Sequence, residues 1–137
     1  MVPDGWKIKT LRSIGNCVSG LTYSPSDVVD ENHGVLVLRS SNIQGGKLSF
    51  ADNVYVDVDI DQDKRVQLND ILVCVRNGSK ALIGKSALIK DDRAIGQTHG
   101  AFMTVFRSEE NSYVFQLFQS EMFHKHVYTD LGATINS

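Results

Sequence analysis

The stretch NDILVCVRNGSKALIGKSALI, Asn69 to Ile89, is two apolar runs joined by the polar tip Arg76-Asn77-Gly78-Ser79-Lys80. Asn-Gly between hydrophobic runs marks a β-hairpin, because both residues tolerate the positive φ of a tight turn. The apolar arms then become core strands and the tip faces outward. Turn chemistry accounts for Asn77 and Gly78 without any ligand, and Arg76 and Lys80 can be ordinary solvated flanks. A binding role for the tip needs support from the rest of the chain.

The 137 residues and 15.2 kDa suit one domain with its own core, and 42% apolar against 22% charged residues is globular composition. Cys17 and Cys74 fit no paired-ligand or redox spacing, so both are expected as reduced thiols, with Cys74 buried in its strand. No apolar run reaches membrane-spanning length, and the N-terminus lacks the basic-then-apolar layout of a secretory signal; a soluble cytoplasmic protein is expected. A net charge of -2 argues against an indiscriminate nucleic-acid coat, which needs a strongly basic surface. The charge is unevenly spread, however. Asp52, Asp57, Asp59, Asp61 and Asp63 crowd one segment, whereas Arg76, Lys80, Lys85, Lys90 and Arg93 follow with only Asp91 and Asp92 against them. This pattern gives either one basic face or a charged edge that discourages sheet aggregation.

Upstream of the hairpin, Trp6 to Leu11 reads as a short strand anchored by Trp6, and Gly15 to Asp30 reads as a long loop by composition. Val35-Leu36-Val37-Leu38 is a strand buried on both faces, and it ends abruptly in Arg39-Ser40-Ser41-Asn42-Ile43. Those polar residues sit at the mouth of a core strand, where they either meet a ligand or bond their own backbone in a turn. Gln44-Gly45-Gly46-Lys47 is a second tight turn, followed by Leu48-Ser49-Phe50 and the short strand Val54-Tyr55-Val56. The aspartate-rich segment lacks the order of an EF-hand and reads as a solvated loop.

Downstream, Ile95 to Gly100 is a polar loop in which His99 more readily makes a hydrogen bond than performs catalysis, and Ala101 to Phe106 is another strand. The period then changes. Val114, Leu117, Phe118 and Met122 recur at helical spacing, Asn111 or Ser112 can cap the start, and Gly132 after Leu131 suits a stop, which predicts one main helix from Asn111 to Leu131. His124 and His126 point about 200° apart on that helix and cannot share a metal there. The tail from Gly132 ends without a cap, as though more chain follows.

A phosphate-cradling glycine loop, a zinc-protease helix, a nucleophile elbow and an Asn-Pro-Pro-aromatic methylation run are all missing. Pro25-Ser26-Asp27 has the start of a nuclease metal motif, but no acid-x-lysine strand follows it. What remains is a set of polar loops at strand ends bearing Arg, Asn, Ser, Lys and Gln. These side chains read base edges and hold phosphates.

Several short pieces stand in a consistent order: Pro3-Asp4-Gly5-Trp6 with Leu11, Val37 to Ile43, Asp70-Ile71-Leu72 leading to Arg76-Asn77-Gly78-Ser79, Ile83-Gly84, and Gly132-Ala133-Thr134-Ile135. In that order and spacing the chain resembles, from Pro3 to Ser137, a target-recognition domain of the specificity subunit of type I restriction-modification systems. Asn69 departs from the glycine common before Asp-Ile-Leu in that family, which leaves the turn conformation open. The resemblance implies a non-catalytic piece, residues 1–137, of a longer subunit in which two such domains, separated by long helices, each read half of a split duplex DNA site. It further implies methyltransferase subunits that supply S-adenosylmethionine and the adenine chemistry, and through them a restriction subunit, with no cofactor in this chain.

Together these readings predict an α+β domain of short, mostly antiparallel strands, a curved or barrel-like sheet, closed by the one helix. The DNA-binding candidates are Arg39, Ser41 and Asn42 at the strand mouth and Arg76, Asn77, Ser79 and Lys80 at the hairpin tip. Lys85, Arg93, Gln97 and His99 lie further out. The rivals are a protein-interaction module whose polar loops dock on a partner, and a metal-dependent nuclease.

Overall fold

Ten short strands form in the computed structural model, which describes residues 15–76 and 84–119. They are β1 (Gly15–Ser19), β2 (Val28–Val29), β3 (Val35–Leu38), β4 (Ile43–Gln44), β5 (Lys47–Leu48), β6 (Val54–Val56), β7 (Ile71–Cys74), β8 (Ser86–Leu88), β9 (Thr98–His99) and β10 (Met103–Ser108). A helix, α1, follows at Asn111–Phe118. The expected strand at Trp6 to Leu11, the tip residues Asn77, Ser79 and Lys80, the continuation of the helix to Leu131 and the tail lie outside the described residues.

The hairpin arms pair as expected, with β7 antiparallel to β8 in the register Ile71↔Leu88, Leu72↔Ala87, Val73↔Ser86. They belong to a four-stranded antiparallel sheet ordered β1-β10-β7-β8. A second sheet, ordered β2-β6-β3-β9, is antiparallel except where β9 runs parallel to β3, with Val37 beside Thr98 and Leu38 beside His99. The third unit is the small hairpin of β4 and β5. Gly45 and Gly46 both take positive φ in its turn, 61° and 78°, which is the backbone a two-residue primed turn requires. Strands are thus mostly antiparallel, and no closed barrel forms among the described residues.

Alternation along the strands divides the core in two, since successive side chains on a strand point to opposite faces. Leu72, Cys74, Met103 and Val105 on one face join Leu36, Leu38, Ile43, Val66 and Ile89. Ile71, Val73, Val75 and Phe106 on the other face meet Val114 and Phe118 of α1, with the Phe106 and Phe118 rings 6.3 Å apart between centroids. The first sheet is therefore covered on both sides, and that is why ILVC reads as an unbroken apolar run.

Two expectations are corrected. Gly15 to Ser19 is a strand and not part of a loop: it pairs along its whole length with β10, from Gly15↔Ser108 to Ser19↔Thr104. Its loop-like composition is overridden by a partner far along the chain. At Gly15 a Cβ would stand 2.6 Å from both the Arg107 carbonyl and the Phe106 ring, so the small residue serves close approach, not turning. The polar segment before Gly100 likewise is not open loop, because Thr98 and His99 form β9 and are fully buried.

Candidate nucleic-acid interface

The strand mouth after β3 is a single turn of 3₁₀ helix, Ser40–Asn42. Asn42 holds it together from inside: its Oδ1 accepts from the Arg39 backbone N–H at 2.9 Å, and its Nδ2 donates to the Ser49 carbonyl, 2.8 Å, and to the Asp52 carbonyl and Asn53 Oδ1. Asn42 is fully buried and its amide is spent on the scaffold. It is withdrawn as a ligand contact. With Asn42 fixed, Arg39 projects over Asp52, whose carbonyl accepts from Nη2 at 2.8 Å while the carboxylate lies 3.5 Å away.

His99 is corrected in the same way. It is fully buried, and Nε2 donates to the Val18 carbonyl at 2.9 Å, which places the proton on Nε2. Burial lowers its pKa from 6.5 to about 4, so the ring is neutral and structural at ordinary pH. Gln97 is half-buried, and its Oε1 accepts from the Leu36 N–H at 2.9 Å, pinning the loop to the edge of β3. Arg93 is exposed and lies over the Phe50 ring, 4.0 Å from its centroid, a cation–π contact that fixes where its charge sits.

The structure brings the two expected strand ends together through a residue that the sequence did not single out. Gly100 to Met103 is a tight turn, closed by the Met103 N–H to the Gly100 carbonyl at 2.9 Å, and Phe102 stands at its tip with 58% of its surface exposed. The Phe102 carbonyl accepts from the N–H groups of both Val75 and Arg76, at 3.0 and 3.1 Å. The root of the hairpin tip is thereby tied to this turn. On the other flank, Gly100 N–H donates to the Leu38 carbonyl, and Lys85 Nζ reaches the Ser40 carbonyl at 3.2 Å. Arg39, Ser40, Ser41 and Phe102 line one open groove of ≈ 660 Å³, while Arg76 and Lys85 lie outside its lining and reach it by these hydrogen bonds to Phe102 and Ser40.

Tyr23, Pro25 and Val28 line the far wall of that groove, with Arg39, Ser41, Asp52 and Phe102. Val28 is also exposed, so an apolar floor meets a polar and cationic rim. Among the described residues, Arg39 Nε, Ser41 Oγ, His99 Nδ1 and Asn111 Oδ1 are buried without a hydrogen-bond partner, and the first two lie along this groove. Pro25-Ser26-Asp27 is a capped 3₁₀ turn on this wall, in which Asp27 accepts from the Ser24 N–H and hydroxyl. That aspartate is engaged in capping. No three His, Cys, Asp or Glu side chains gather as a metal site among the described residues.

At the opposite end of the first sheet the polar groups are paired internally. Asp70 is buried and takes a two-pronged contact from Arg107, Nε at 2.9 Å and Nη2 at 2.8 Å. This pairing raises the Arg107 pKa above its usual value. Asp70 also accepts from the Gln67 N–H and so closes the turn Gln67 to Asp70, in which Asn69 has φ 73°. A positive φ at the third position of a turn is what glycine or asparagine supplies. Asn69 therefore adopts the backbone that a glycine would, which settles the turn its sequence left open.

Sequence and fold point to one class. The chain is 25% identical, over 99% of its length, to the specificity subunit of the type I restriction enzyme EcoKI from Escherichia coli strain K12. It is 24% identical, again over 99%, to that of StySPI from Salmonella potsdam. It spans 30% of the length of each of these curated relatives. No family model matches. Among solved structures, the HsdS subunit of Thermoanaerobacter tengcongensis has the same fold over 90% of this chain and 28% of that one, with a TM-score of 0.60 and 12% identity. A chain from a structure of type I restriction-modification complex assembly and conformational transition matches with a TM-score of 0.58, again at 12% identity, over 90% of this chain and 26% of that one. The resemblance to type I specificity subunits read from the sequence is thus upheld by sequence and by fold.

Proposed function

We propose that this chain is a DNA target-recognition domain that reads one half of a bipartite duplex site within a type I restriction-modification complex, and that it catalyses nothing itself. The observation that carries the reading is the groove: Arg39 and Ser41 line it with Phe102, the Arg76 N–H donates to the Phe102 carbonyl, and Lys85 Nζ donates to the Ser40 carbonyl beside them. Cations so spaced suit a phosphate backbone and guanine edges, while Ser41 can serve either base edge or phosphate. The likeness to specificity subunits supports the class of ligand.

In this reading the chain is one part of a longer cytoplasmic subunit whose second such domain reads the other half-site. Methyltransferase subunits then bring S-adenosylmethionine and the adenine chemistry, and the restriction subunit joins through them. Asn77, Ser79 and Lys80 of the hairpin tip are assigned to DNA contact on their side-chain chemistry alone. Arg93 and Gln97 are placed away from the groove lining, Gln97 as scaffold.

The test uses the complete specificity subunit assembled with its methyltransferase subunits, on a duplex whose site is mapped from methylated adenines in the host genome. Affinity should fall steeply with salt, as counterion release demands. Arg76→Ala should weaken binding and relax preference at one position of the site. A flat salt titration rejects DNA as the ligand, and an unchanged affinity and preference in Arg76→Ala removes the hairpin tip from the reading surface.

A further inference from the structure

The groove has a part that phosphates and polar base edges do not explain. Phe102 is more than half exposed, and it shares the groove with Tyr23, Pro25, Val28 and Ala101. A lone exposed ring would be ordinary, but here it shares one groove with the exposed Val28, and a contiguous apolar patch marks a contact surface. The chemistry around it narrows the partner. Arg39 and Ser41 line the same groove beside Asp52, so the ring shares its surface with a guanidinium and a hydroxyl. A duplex offers phosphates and base edges to those two groups and an apolar feature to the ring. The apolar protrusion that a base pair presents in the major groove is the C5-methyl of thymine.

We propose that Phe102 is a specificity-determining residue that packs against a thymine methyl in the half-site. This rests on the DNA-reading function above and adds the base class to it. The backbone supports the assignment. With its carbonyl held by Val75 and Arg76, and its turn closed from Gly100 to Met103, the Phe102 backbone is fixed, which sets the point from which the ring projects.

The experiment replaces each thymine of the mapped half-site, singly, by deoxyuridine, which removes the methyl and leaves every hydrogen-bonding edge intact. Competition binding is measured with the assembled complex carrying Phe102, Phe102→Leu or Phe102→Ala. One uracil substitution should weaken the Phe102 complex by about fourfold, the effect of one methyl group's burial. The penalty should persist in part in Phe102→Leu and vanish in Phe102→Ala. Uracil substitutions that are all silent, or equally costly in the three proteins, overturn the proposal while DNA reading stands. A half-site without thymine overturns it as well. If Phe102→Ala loses affinity uniformly across sequences, Phe102 is a wedge between base steps and the methyl contact is wrong. Absence of any sequence-specific binding by the unaltered complex overturns the underlying function with it.

Discussion

One cleft of this domain, ≈ 650 Å³, lies between the Gln67 to Asp70 turn and the segment Arg107 to Glu110; the other, ≈ 660 Å³, lies between the Arg39 to Ser41 turn and Phe102. They are alike in size and differ in how their polar groups are occupied. In the first, the buried Asp70 and Arg107 satisfy each other, while Glu109 and Glu110 stand exposed along the same cleft. In the second, Arg39 Nε and Ser41 Oγ are unpaired and a phenyl ring stands in solvent. The contrast teaches that cleft volume says little. The buried Asp70 and Arg107 pair makes the first cleft a joint of the scaffold, whereas the second keeps a partly exposed guanidinium and an exposed ring along one groove.

The largest test of that contrast is Asp70→Asn, which leaves the Arg107 guanidinium without its counter-charge. Breaking so buried a pair should cost about 3–5 kcal/mol, at the lower end because Arg107 keeps some water, read as a shift in urea midpoint. Any complex that still assembles should keep its site preference. A change of preference at preserved stability would erase the distinction between the clefts.

Next in size is the pH dependence set by His99. Its folded pKa lies below the 6.5 of the unfolded chain, so between 6.5 and about 4 the unfolded state binds the extra proton. Stability is thus fully present above pH 6.5 and declines as the pH falls, by roughly 3 kcal/mol on reaching pH 4. His99→Gln, which can still donate to the Val18 carbonyl, should flatten that decline in urea titrations across pH. An unchanged slope would mean that another group is responsible and that His99 is not held neutral by burial.

Arg39→Ala reverses the pattern of Asp70→Asn. Because its pairing with Asp52 is at the surface, the folded chain should lose less than about 1 kcal/mol. The assembled complex should lose about 1–3 kcal/mol of affinity and relax one base position. Equal losses in stability and affinity would make Arg39 scaffold like Asp70. The smallest effect belongs to Asn69. Asn69→Ala places a Cβ at φ 73° without the local hydrogen bonding of asparagine and should cost about 1 kcal/mol, whereas Asn69→Gly should be close to neutral by thermal melting.

What the sequence disclosed tracks how local each signal is. The arms of the Asn69 to Ile89 hairpin, the buried Val35 to Leu38 strand and the Gly45-Gly46 turn each carry their instruction within a few residues, and each is found where expected. β1 was hidden because its pairing partner, Met103–Ser108, lies on the far side of the domain in sequence, and Gly15, Asn16 and Ser19 have the composition of a loop. Of the candidate site residues, Arg39 and Ser41 line the groove and Lys85 and Arg76 bond to residues that do, whereas Asn42 and His99 are buried, since a short polar run gives no sign of which members a distant strand will cover. Phe102 was read as strand interior because Ala101 to Phe106 is continuous in apolar character; only the Gly100 turn ejects it.

The two N–H groups that grip the Phe102 carbonyl belong to the backbone of Val75 and Arg76, and no side chain takes part in that grip. A contact made of main-chain atoms does not depend on which side chains stand at positions 75 and 76, so any residue there that keeps its N–H, proline alone excepted, can hold the Phe102 turn against the end of β7.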